Sequence, residues 1–160
     1  MKFSSQEEYG LRCLLQLART GGTQANLTIT GISREEGLSV AYVGKLMRIL
    51  RIGGFVESVR GQEGGYSLAR PAERILVSDV LSVLGGKIYE QDFCSNFAGN
   101  EDECLHSFSC SIRPLWHRVQ DAIDGALRNL TVADLMPRQE LVQIGEFVNR
   151  EEPAPSEVEG

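Results

Sequence analysis

No stretch of 18 consecutive apolar residues occurs anywhere in the 160-residue chain, so no segment reads as a membrane span. The start, Met1-Lys-Phe-Ser-Ser5, carries no apolar targeting segment either, and a cytoplasmic protein without membrane contact is expected. No nucleophile–base pair, no paired catalytic carboxylates and no cofactor fingerprint stand out, which argues against an enzyme. One Gly-rich turn is present, but the Lys-Ser/Thr of a P-loop and the helix that follows it are missing, so a nucleotide is disfavoured. An excess of basic residues is also lacking. The net charge is −6, at first sight wrong for a nucleic-acid binder. That charge is unevenly placed. Residues 1–80 carry ten Lys/Arg against eight Asp/Glu, whereas residues 81–160 carry six against fourteen. The first half is therefore mildly basic, and asymmetry of this kind points to a binding half.

The first half contains an ordered set of short elements. Ser4 or Ser5 can cap a first helix with Glu7 and Glu8 in its opening turn, where carboxylates suit the helix dipole. Leu11, Leu14, Leu15 and Ala18 recur at helical spacing, Gly21-Gly22 ends the run, and Cys13 beside the stripe reads as a small core residue. A second helix runs from Thr28 or Thr30 to Glu36, with Ile29 and Ile32 inward. After the stop at Gly37, Ser39 caps a third helix whose buried stripe is Val43, Leu46, Met47 and Leu50. Ala41, Tyr42, Gly44, Lys45 and Arg48 are left outward. This is the pattern of a helix-turn-helix. Phe55–Val59 alternates as a strand, Arg60-Gly-Gln-Glu-Gly-Gly65 is a turn and Tyr66–Leu68 returns, which makes a wing. Tyr42, Lys45 and Arg48 are assigned to the recognition surface, Arg60 and Gln62 to the wing tip, and Ser39 and Arg51 to phosphate. Ser78 caps a short helix over 79–84, stopped by Gly85-Gly86.

Between 94 and 110 the chain has no apolar period but holds three of its four cysteines, Cys94, Cys104 and Cys110, with His106 among them. Thiolates are soft ligands for zinc, copper(I) or iron–sulfur clusters, and three fall short of a closed zinc site. Redox-active thiols and incidental cysteines are the competing readings. Beyond this loop Ile112, Leu115, Trp116, Val119, Ile123, Ala126, Leu127 and Leu130 recur at three- and four-residue intervals. The spacing predicts a helix of about 18 residues, about 27 Å long, long enough to pack against a partner chain. His117, within it, reads as structural. Thr131 can cap a short helix over 132–136, and Leu141, Ile144 and Val148 support another amphipathic turn. The acidic, Pro-containing stretch 151–160 is expected to be disordered.

These pieces, in this order, resemble the IscR/NsrR-type family of iron–sulfur winged-helix transcription regulators. The resemblance is carried by Met1-Lys-Phe-Ser4, Glu8-Tyr-Gly-Leu-Arg12, Gly37-Leu-Ser-Val-Ala-Tyr42-Val and Leu50-Arg-Ile-Gly-Gly-Phe-Val56. It continues through Ser58-Val-Arg60-Gly-Gln-Glu-Gly64-Gly65-Tyr66, the cysteine loop, Ile112-Arg-Pro-Leu-Trp116 and Leu130-Thr-Val-Ala-Asp-Leu135. It covers about residues 1–136. It implies a mainly α fold with a small β wing: a winged helix-turn-helix over 1–84, a cluster-binding loop over 85–111, and a dimerisation helix with a short following helix over 112–136. An extension, 137–160, follows. It implies a homodimeric repressor on a pseudo-palindromic double-stranded DNA operator, controlled by a cluster, 2Fe-2S or 4Fe-4S, that senses iron, nitric oxide, oxygen or redox state. By motif position Cys94, Cys104 and Cys110 are ligands. The nine residues between the first two exceed the family's usual spacing, and the five between the last two match it. Some members place a histidine where Arg113 stands here. Others use a partner-subunit carboxylate at the position of Glu8, which is the expected fourth ligand, with His106 the alternative. A cluster-free thiol/disulfide regulator is the rival reading.

Overall fold

A computed structural model describes residues 3–59, 61, 64–87, 89, 93–94, 104, 106 and 109–136. Arg60 and Gln62, and the expectations for 137–160, lie outside these described residues. Helix α1 (Ser5–Thr20) opens on a capping box: the Ser4 hydroxyl accepts from the Glu7 N–H, and the Glu7 carboxylate accepts from the Ser4 N–H at 2.7 Å. Its buried line runs through Gly10, Cys13, Leu14 and Leu17, while the expected Leu11, Leu15 and Ala18 flank that line as partly buried neighbours. Helix α2 (Ile29–Glu36) is capped by Thr28 and stops at Gly37, whose φ of 66° suits a residue without Cβ. Helix α3 (Val40–Ile52) is capped by Ser39 and buries the four residues of the expected stripe.

The wing pairs β1 (Val56–Val59) antiparallel to β2 (Gly65–Leu68), with Val56 opposite Leu68 and Val59 opposite Gly65. Leu27, in the connection between α1 and α2, adds one further rung on the other side of β2. Its N–H and C=O both bond to the backbone of Tyr66 at 2.9 Å. A Cβ on Gly65 would sit 2.7 Å from the Leu27 carbonyl oxygen, so this rung requires glycine there.

Helix α4 (Val77–Gly85) starts two residues before the expected Asp79, and no side chain caps it. The Val77 N–H, exposed at a helix start, donates instead to the Leu130 carbonyl at 2.9 Å. α4 lies close on α1: Gly10 sits beneath Leu84, and the Gln6 side-chain amide donates to the Leu84 carbonyl.

Helix α5 (Arg113–Ala126) has 14 residues rather than about 18, a length of about 21 Å. The chain leaves the helix at Leu127, and Asn129 adopts a φ of 61°, a left-handed conformation that Asn tolerates. The apolar residues beyond have another use. Thr131 bridges Leu76, the Val132 N–H donates to the Ile75 carbonyl at 2.9 Å, and Val132 is 0% exposed in the winged-helix core. A 3-10 turn, Ala133–Leu135, replaces the expected short helix. Thr131 and Asp134 fasten it through reciprocal bonds, the Thr131 N–H to the carboxylate and the Asp134 N–H to the hydroxyl.

Candidate metal centre and nucleic-acid interface

The exposed edge of α3 is basic. Lys45, Arg48 and Arg51 are exposed, and none has an ion-pair partner among the described residues. α3 contains no acidic residue, and the positive end of its dipole lies at Ser39. The Ser39 hydroxyl is already engaged, accepting from the Tyr42 N–H at 3.2 Å. Tyr42 departs from the expected outward position. It is half-buried, with its ring edge-on to Tyr9 at 6.1 Å, so it braces α3 on α1 as well as bordering the interface. The Arg12 guanidinium covers Tyr9 at 5.7 Å.

All four cysteines are free thiols. Cys13 is sealed in the core. Burial first, and the nearby Glu36 charge second, push its thiol from an ordinary 9.0 up to about 12, which keeps it protonated and inert. Cys94, Cys104 and Cys110 are half-buried and share one cavity of about 400 Å³ with His106. Phe93 and Trp116, 5.8 Å apart, wall that cavity, and Arg113 borders it. Three soft thiols and an imidazole behind aromatic walls form a donor set suited to an iron–sulfur cluster, because an apolar shell limits solvent access. Among the described residues no three His, Cys, Asp or Glu side chains converge closely enough to hold a metal ion.

A run of rings ties this cavity to α5. Tyr89 meets Phe93 at 5.1 Å and His117 at 4.6 Å, and the Tyr89 N–H donates to the Gln120 side chain at 3.2 Å. His117 thus holds the loop against the helix. Cys94 also borders a second cavity of about 710 Å³, lined by Lys87, Arg113, His117 and Asp121. Sequence reasoning missed this aromatic connection; the signal was an aromatic residue beside Cys94 and another four residues into the following helix pattern. Glu8 stands elsewhere. Its carboxylate accepts from Arg12 at 2.8 Å, its side chain is 55% exposed, and it lines none of the three cavities described.

α5 buries no residue within the chain. Ile112 and Leu115 are 58% and 54% exposed, and Ile123, Ala126 and Leu127 form one wall of an apolar groove of about 530 Å³ whose other wall includes Phe3 and Leu76. No helix among the described residues is long and apolar enough to cross a membrane.

Known proteins resemble this chain in sequence and in fold. The chain is 36% identical over 137 residues to protein rrf2 of Nitratidesulfovibrio vulgaris, spanning 85% of this chain and 87% of that one. It is 29% identical over 144 residues to the HTH-type transcriptional regulator IscR of Escherichia coli, covering 90% and 85%. Among solved structures, the oxidized form of Staphylococcus aureus CymR matches with a TM-score of 0.62 at 30% identity, covering 87% of this chain and all of that one. The IscR of T. potens matches with a TM-score of 0.62 at 27% identity, covering 96% and 94%. Residues 3–138 match the family model Rrf2, described as an iron-dependent transcriptional regulator, and the chain belongs to that family.

Proposed function

We propose that this chain is a homodimeric repressor whose binding to a pseudo-palindromic operator is controlled by an iron–sulfur cluster held by Cys94, Cys104 and Cys110. The observation that carries this reading is the common cavity: three thiols and an imidazole from a segment without apolar period line one aromatic-walled space beside α5. A bound cluster, 2Fe-2S or 4Fe-4S, supplies a one-electron centre that is also sensitive to iron supply, oxygen and nitric oxide. The rest is done by the chain. Cys110 precedes the start of α5 by only three residues, and Cys94 adjoins Phe93, whose ring packs tilted against the Trp116 of α5. Drawing the thiols together therefore pulls on the start of α5 from two sides. α5 presents the apolar face that meets its counterpart in a second copy, so its tilt sets the distance and angle between two α3 helices. Lys45, Arg48 and Arg51 then fix register on phosphates and base edges, and paired half-sites must match that geometry. Anaerobic purification tests this directly. A coloured protein with iron and sulfide bound, whose operator affinity changes when the cluster is lost, is expected.

One alternative has an observation behind it. The thiols are free but not gathered to metal-holding distance, and the related Staphylococcus aureus CymR has a structure in an oxidized form. A reversible disulfide between two loop cysteines would use the same lever on α5. A colourless anaerobic protein whose operator binding responds to oxidant would establish that reading instead.

A further inference from the structure

We propose that the acidic segment 151–160 docks on the basic edge of α3 in its own chain and competes there with DNA. This rests on the reading of α3 as the DNA-contacting helix and not on the cluster. The segment carries Glu151, Glu152, Glu157 and Glu159 and no Lys or Arg. It lies beyond residues 3–138, which match the family model, so the family's shared function gives it no role. α3 supplies the complementary surface. Lys45, Arg48 and Arg51 are exposed, and none has an ion-pair partner among the described residues. They recur every three residues, which sets them in one slanted row along the helix. No acidic residue lies on α3 to neutralise that row. The segment can also reach it. Fifteen residue steps separate Met136 from Glu151, a span of up to about 50 Å when extended. A folded chain of this size has a radius of gyration of only about 14 Å. Single exposed ion pairs hold weakly, but a tether supplies a local concentration on the order of millimolar, so a weak contact keeps the face occupied. A duplex carries far denser charge and displaces the segment. Docking therefore lowers affinity for any duplex by one common factor and sets the protein concentration at which DNA is bound.

The test compares full-length wild type with a full-length variant in which Glu151, Glu152, Glu157 and Glu159 are all replaced by Gln. That variant keeps the length of the chain and every residue of the described fold. Its affinity for a 30-base-pair duplex of random sequence should rise on the order of fivefold in 0.1 M salt. The gain should vanish near 1 M salt, where the screening length falls to about 3 Å. In 15N nuclear magnetic resonance spectra without DNA, the signals of Lys45, Arg48 and Arg51 should differ between the two proteins, and adding salt to wild type should move them towards the variant's positions. Unchanged affinity overturns the proposal. Tighter binding with unmoved α3 signals also overturns it, because the segment then repels DNA by net charge without docking. Signal changes confined to α5 or the wing place the segment elsewhere and overturn it too. In dimers mixed from labelled variant and unlabelled wild type, the α3 signals should stay at the variant's positions; their movement assigns the contact to the partner's segment and overturns a contact within one chain. If neither protein binds any duplex, the reading of α3 as a DNA-contacting helix fails together with the competition.

Discussion

Cys13 and the three loop cysteines differ in chemistry because they differ in burial. A thiol raised to about 12 stays protonated at neutral pH and does not attack an alkylating reagent, whereas half-buried thiols in an open cavity do. Brief treatment of the native apoprotein should modify three cysteines and denaturation should release the fourth, a count that mass spectrometry gives directly. The sign of the pH effect follows as well. The raised value means that Cys13 favours the folded state fully below pH 9.0 and loses that contribution as the pH climbs towards about 12. The stability advantage of wild type over Cys13→Ala in denaturant melts should therefore shrink as the pH rises from about 9 towards about 12. Ser39 separates stability from recognition. Ser39→Ala removes the cap on the Tyr42 N–H and should cost about 1 kcal/mol. Ser39→Asp keeps an equally good cap but sets a negative charge against DNA phosphate, so it should melt like wild type and bind operator more weakly in a filter or anisotropy assay.

Elements whose apolar residues serve one purpose were legible in the sequence. The stripe Val43, Leu46, Met47 and Leu50 is the buried face of α3, and the caps at Ser4 and Ser39 and the wing strands fall where spacing placed them, whereas Ser78 lies inside α4 and caps nothing. Elements serving two purposes were not. Leu127 and Leu130 continue the period of α5, yet the chain has already left the helix there and is turning back towards the winged-helix core, so periodicity alone overran the helix. The early start of α4 was hidden for the same reason, since its opening N–H is satisfied by a carbonyl 53 residues away in sequence. Leu27 pairs with Tyr66 through backbone atoms only, and one isolated apolar residue leaves no pattern. At the site, the cysteines were legible as a set, but the rings that join them to α5 depend on tertiary packing. The Leu27 rung of the wing gives its own prediction. In Gly65→Ala the new methyl meets a backbone carbonyl that cannot rotate away, so a loss of about 1–3 kcal/mol is expected in chemical denaturation, with weaker operator binding.

At the scale of the whole molecule, an exposed apolar helix and an exposed basic helix sit on the same small chain. Charged substitutions at Val119 and Ile123 should give monomers or insoluble protein, whereas the wild type should sediment as a dimer at micromolar concentration. The exposed Lys45 and Arg48, without ion-pair partners among the described residues, predict a steep salt dependence. Removing either should flatten the slope of log affinity against log salt by about one unit if it contacts phosphate, and should relax preference at one base position if it reads an edge. Arg60→Ala should cost about 1–3 kcal/mol of operator affinity if the wing enters the groove.

The return of Val132 into the core has a mechanical consequence. Because the strand-like contact of Leu76 with Thr131 pins the far end of α5, that helix is anchored at one support and, under the proposed control, is a beam driven at the other. A pull at Arg113 is converted into rotation about the Asn129 corner, and the swing at the driven end is limited by a lever of about 21 Å. Proteolytic or genetic severing of the chain near Arg128 should uncouple the two ends, leaving a protein that still holds its cluster and still binds DNA but no longer lets either report on the other.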